Sequence, residues 1–193
     1  MKLFLLLLIT LSLLASMAVA DEPREGAKDA DSSAVIDYDE VEAITAWLSH
    51  YHRIPTAAEL ERVSPRAREI VFEIALDEEA FLFHRHRALH ALSHWPDQEV
   101  FDFLSGLLTD DATDEGLKHH LVMTLARGFG DRAVPLIEPF LLNHEDPQLR
   151  ISAAAALAKI DGDASHQILL RALEQEENSI VRSRIERYAT RIR

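Results

Sequence analysis

Glu145-Asp146-Pro147-Gln148-Leu149-Arg150-Ile151-Ser152-Ala153-Ala154-Ala155-Ala156-Leu157-Ala158-Lys159-Ile160-Asp161 is the stretch that decides the fold. Asp146-Pro147 opens a helix, with Asp as N-cap and Pro at the first helical position, where the absent N–H would be unpaired anyway. Counted from Arg150, apolar residues stand at plus 3, 4, 6, 7 and 10: Ala153, Ala154, Ala156, Leu157 and Ile160. That spacing is one side of a helix. The same phrase recurs. Arg85, Lys118, Arg150 and Arg182 are separated by 33, 32 and 32 residues. Three residues beyond each come Ala88, Leu121, Ala153 and Ile185, and seven beyond come Leu92, Leu125, Leu157 and Ala189. A period of this length marks a solenoid of helix pairs, none of which can bury its apolar face alone.

Working outward, the first helices of successive pairs are expected at about 65–76, 97–108, 133–142 and 164–175, and their partners at about 81–94, 115–127, 147–159 and 179–192. Turn residues agree with these cuts: Pro96-Asp97, Gly128-Phe129-Gly130-Asp131 and Asp161-Gly162-Asp163 each follow a second helix. Ser64-Pro65 reads as a helix start and Thr56-Ala57-Ala58-Glu59 as a capping box. Val41, Ile44, Trp47, Leu48 and Tyr51 give an earlier helix at 39–51. Pro135 and Pro139 share one first helix, which should start late or kink. No strand pattern competes. The expected fold is all-α, a right-handed α-solenoid of about five antiparallel helix pairs, with a divergent N-terminal helical cap over 38–64 and the repeats over 65–193.

The stretch at 145–161 resembles a HEAT repeat, and more narrowly the short bacterial HEAT-like type of phycobilin lyases. That resemblance implies an Asp in the inter-helix turn, an Arg four residues on, and a Gly-Asp turn. The Asp/Arg pair is Asp146/Arg150 here, Asp114/Lys118 one repeat back and Asn178/Arg182 one repeat on, and it fails at Phe81/Arg85. The resemblance spans roughly 65–193 and implies a protein-binding scaffold, not a reaction. It also implies that second helices line the concave face.

The N-terminus carries a different signal. Lys2, the apolar run Leu3 to Leu14 and Ala18-Val19-Ala20 before Asp21 have the anatomy of a secretory signal peptide over 1–20, cleaved after Ala20. Residues 21–37 follow as an acidic leader with almost no large apolar residue, too polar to order by burial. The chain has formal charge −13 and no Cys. Cysteine disulfides and a cysteine-linked lipid are therefore excluded, and such acidity opposes binding to nucleic acid or anionic membrane. A periplasmic or secreted protein is the expected location, with membrane contact only through the signal peptide.

Second-helix positions plus 2, 5 and 9 are not needed for the core and share one face. They are Arg87, His90 and His94; His120, Met123 and Arg127; Ser152, Ala155 and Lys159; Arg184, Arg187 and Arg191. No acid is among them. Helices stack about 8–10 Å apart, which would join these residues into a basic ridge able to steer an acidic partner. His94, Arg127, Lys159 and Arg191 also stand in last turns, where cations offset the helix dipole. The polar cap that a terminal repeat needs would account for Arg184 and Arg187.

Histidines are the second constellation. His84, His86, His90 and His94 crowd one helix, and His119 and His120 lie one repeat on. His86, His90 and His119 come nearest to a metal-ligand pattern, but a firm site wants three or four ligands in defined geometry. No metal or other cofactor is assigned. Lys118-His119-His120-Leu121 and Arg85-His86-Arg87-Ala88 fall where deoxyhypusine hydroxylase, which has similar repeats, carries iron-binding His-Glu pairs; His120 and Arg87 replace the glutamates. No Cys nucleophile or phosphate-cradling Gly loop is present. Trp47, Trp95 and the phenylalanines 81, 83, 101 and 103 read as packing residues. The expected function is a non-enzymatic scaffold or adaptor of the bacterial cell envelope, binding an acidic protein partner on the second-helix surface. The alternatives are a His-dependent divalent metal binder and a HEAT-like lyase or hydroxylase.

Overall fold

The computed structural model describes residues 36–50, 53–160 and 162–190, so the signal-peptide and leader readings over 1–35, and Arg191, lie outside the described residues. The described residues form ten α-helices and one 3-10 turn, without a strand. Four successive helix pairs are α3 (Ala67–Leu76) with α4 (Leu82–Leu92), α5 (Gln98–Thr109) with α6 (Glu115–Phe129), α7 (Val134–Asn143) with α8 (Pro147–Leu157), and α9 (Asp163–Gln175) with α10 (Ser179–Ala189). Ahead of them, α1 (Tyr38–Leu48) and α2 (Ala57–Glu61) form the divergent first pair, and both pack on α3.

Caps explain where these helices start. Asp97, Asp114, Asp146 and Asn178 each accept a backbone N–H of the first turn of α5, α6, α8 and α10. The capping box at Thr56 forms, with the Thr56 N–H donating to Glu59 Oε2 at 2.8 Å. Ser64 is fully buried; its hydroxyl accepts the Arg66 N–H at 2.9 Å and donates to Glu40 Oε1 at 2.8 Å, tying the start of α3 to α1. The two prolines act as expected on α7. Gly130–Ala133 forms a 3-10 turn, α7 then starts at Val134 with Pro135 in its first turn, and Pro139 lies inside. Gly130 has φ +52°, a region that side chains disfavour, and this lets α6 run to Phe129 before the chain reverses.

Packing divides the pairs into two layers. The second helices α4, α6, α8 and α10 stack on one another in order, and each also packs on its own first helix. The core runs along the seam: Leu89, Leu92, Leu121, Leu125, Leu149, Leu157 and Ile185 are essentially inaccessible to solvent. α8 is the most enclosed helix, touched by α6, α7, α9 and α10. Its buried residues Leu149, Ala153, Ala154, Ala156 and Leu157 therefore wrap around it, and alanines let four neighbours approach closely. By contrast α5 buries one stripe only, Val100, Leu104 and Leu108, as a helix with one solvent face does. Among the described residues, no helix is long and apolar enough to cross a membrane.

Candidate partner-binding face

The basic residues that set the repeat are structural, and the geometry shows why they recur. The first helix of each pair ends with carbonyls that lack helical partners. Arg85 Nε donates to the Ala75 carbonyl at 3.1 Å, at the end of α3. Arg150 donates to the His144 and Glu145 carbonyls at 2.8 and 3.1 Å, just beyond α7. Arg182 donates to the Glu176 carbonyl at 3.2 Å, at the end of α9. Each guanidinium thus closes the turn of its own pair. Lys118 instead pairs with Glu115 at 3.0 Å.

Asp146 and Arg150, the turn Asp and the Arg four residues on, hold different partners. Asp146 Oδ1 caps α8 by accepting the Gln148 N–H at 2.9 Å. Arg150 instead holds Glu176 of the next pair through two bonds of 2.8 and 3.0 Å. That pairing, with adjacent donors, keeps the Glu176 carboxyl below the ordinary carboxylate range against the opposing effect of burial. Phe81 supplies no side-chain cap, and its ring is largely exposed beside Leu82 and Leu76. Phe81 is therefore not the packing residue it was expected to be. Phe101 and Phe103 are: both pack on the core, and Leu104 is fully buried. Trp95 is half-buried at a junction, donating its ring N–H to Glu61 at 2.9 Å.

Of the ridge residues, Arg87 is occupied. Its guanidinium donates to the carbonyls of Leu48, His50 and Arg53, so it closes the C-terminal end of α1 and the segment after it. His90 and Arg127 meet across the α4–α6 seam, with the Arg127 guanidinium donating to His90 Nε2. That geometry requires a neutral imidazole as acceptor. Burial first, then Arg127 and other nearby cations and imidazoles, push His90 down to about 4. Met123 is half-buried against the core, and His94 and His120 are exposed. Further along, Lys159, Arg184 and Arg187 are exposed, and none is paired with a described residue.

His86 and His119, two of the three candidate metal ligands, do not meet. The His86 ring lies 5.0 Å from that of His120, tilted by 49°. His119 turns the other way, towards α8: its Nδ1 is 2.8 Å from Ser152 Oγ and its Nε2 3.4 Å from Asp146 Oδ2. A helix turns about 100° per residue, so neighbours in sequence serve opposite seams. Ser152, His119 and Asp146 have the residue types of an acyl-transfer triad. Ser152 sits inside α8, however, where backbone N–H groups are bonded within the helix and are not free to act as oxyanion donors. The trio clamps α6 to α8. Among the described residues, no three His, Asp or Glu converge in metal-binding geometry.

With this geometry in place, the comparison with known families reads simply. Residues 112–189 match the profile of HEAT repeats. The matched span runs from just before α6 to the last residue of α10; ahead of it, α4 stacks on α6 and carries the anchor Arg85, but has no side-chain cap at Phe81. HEAT repeats are commonly protein-interaction scaffolds and are typically not enzymes. Comparison with curated proteins gives no match.

Proposed function

We propose that this chain is a non-enzymatic scaffold or adaptor exported to the bacterial cell envelope, binding an acidic protein segment on the second-helix face. One observation carries the reading. In a chain of formal charge −13, Lys159, Arg184 and Arg187 stand exposed on one stacked layer, none of them paired with a described carboxylate. The second helices contain only two acids, Glu115 and Glu186, and Glu115 is engaged by Lys118. An uncompensated field of this kind steers a partner of opposite charge. Export rests on the Lys2, apolar-run and Ala18-Val19-Ala20 pattern alone.

A pull-down from cell-envelope extract tests the binding face. The parent protein is compared with a variant carrying Arg127, Lys159, Arg184 and Arg187 as Glu, after circular dichroism has shown equal helicity. A partner held by the parent and lost by the variant is the expected result. The same partner held by both would remove the second-helix face from consideration. Export is checked separately: mass spectrometry of the protein from bacterial envelope fractions should find Asp21 as the N-terminal residue.

A further inference from the structure

We propose that the α4–α6 part of the second-helix face takes up carboxylate-bearing peptide segments and protons together, so that it holds such segments more tightly below neutral pH. This rests on the reading of the face given above and adds its regulation. Four imidazoles gather at this seam. His86, His90 and His94 follow one another by single turns along α4, and His120 of α6 lies against His86.

Their surroundings are short of counter-charge. His86 faces His120, Arg85 and a single acid, Asp114. His90 has Arg127, His94, Arg87 and His120 around it. His94 faces Arg127, Glu59 and the Pro55 backbone. His120 adjoins His119, whose acid, Asp146, comes from α8 on the far side. α3 also packs on α4, but it brings Glu73 and Asp77 beside His84, at another edge. Partial loss of water around the rings, deepest at His90 and reaching the otherwise exposed His94 and His120, is the leading cause that holds all four imidazoles below their ordinary value, and positive neighbours add to it for His86, His90 and His94. At neutral pH the imidazoles of this seam therefore contribute little charge of their own, and its cations are Arg127 and the helix-closing Arg85 and Arg87.

An incoming carboxylate supplies the counter-charge that the seam lacks. It favours the protonated imidazoles, so binding and proton uptake are linked, and affinity must rise as pH falls. A metal cation is the poorer occupant, because Arg85, Arg87 and Arg127 surround the same rings. The acidic peptide and the proton act together; a metal would compete with both.

Isothermal titration of the purified chain with a deca-aspartate peptide tests this, at about pH 7.5 and about pH 5.5 and fixed ionic strength, in buffers of different ionisation enthalpy. Aspartate stays ionised at both. The expected result is affinity about tenfold or more higher in the acidic buffer, with net proton uptake on binding. The gain on acidification should be lost in H90Q/H120Q, and reduced in H86Q as a second variant, each shown helical at both pH values by circular dichroism. Binding of equal strength at both pH values overturns this inference and leaves the reading of the face standing. Absence of binding at either pH overturns both. A gain that persists in both variants overturns the assignment to these imidazoles.

Discussion

The two helix layers of the solenoid treat charge in opposite ways. In the first-helix layer, cations reach across to the neighbouring pair. Arg68 of α3 holds Asp97 and Glu99 at 2.6 and 2.7 Å, and Arg171 of α9 holds Glu138 of α7 at 2.5 Å. Arg132, in the turn before α7, lies 3.7 Å over the Phe101 ring and donates to Gln98. Here charge serves as mortar between repeats. In the second-helix layer the seam is largely apolar and alanine-rich, and histidines supply its polar links, His90 with Arg127 between α4 and α6 and His119 with Ser152 and Asp146 between α6 and α8. Most cations there are engaged close to their own helix ends, as Arg85, Arg87, Arg150, Arg182 and Lys118 are, with Arg150 also reaching Glu176 of the next pair and Arg127 meeting His90; Lys159, Arg184 and Arg187 stand free of described partners. The lesson is that cation position alone says little; the distinction lies in what each guanidinium or ammonium already holds.

Substitutions at these cations sharpen the contrast. Arg150→Met should have the largest effect, about 2–3 kcal/mol by denaturant unfolding, since it strands the buried Glu176 carboxylate and two turn carbonyls. Arg87→Ala comes next, at about 2 kcal/mol, because three carbonyls lose their donor. Acidification follows. His90 titrates near 4 when folded against an ordinary value of 6.5, so below 6.5 the unfolded chain binds a proton that the folded chain refuses. Stability should therefore fall as pH drops from about 6.5 towards 4, by about 1 kcal/mol once solvent screening is allowed for, and H90Q should flatten that slope. Arg68→Ala, an exposed pair, should cost under about 1 kcal/mol. The double change R184E/R187E should leave stability within about 0.5 kcal/mol of the parent while weakening acidic ligands. A large stability loss there would show those arginines to be mortar as well.

Much of the fold was legible because its signals are local. Asp97, Asp114, Asp146 and Asn178 mark helix starts by chemistry confined to one turn, and α5, α6, α8 and α10 begin within a residue of where those caps place them. The candidate face was legible only in outline. Glu176 is a turn residue of the next pair, so no fixed spacing announces it as the partner of Arg150. Arg87 looked like ridge because nothing in α4 reveals that the end of α1 packs against it. Among the histidines one step of helix phase decides the partner: His120, not its neighbour His119, meets His86. Phe81 shows the converse, an apolar residue standing where its relatives are caps, and left exposed for that reason.

The central claim is that free cations on the second-helix layer, and not paired ones on the first, bind the partner. The most direct measurement is calorimetric affinity for deca-aspartate at neutral pH in two matched charge-reversal variants, K159E/R184E/R187E and R68E/R132E/R171E. The account predicts a loss of about tenfold or more in the first and less than about twofold in the second. Equal losses, or a larger loss in the second, would contradict it.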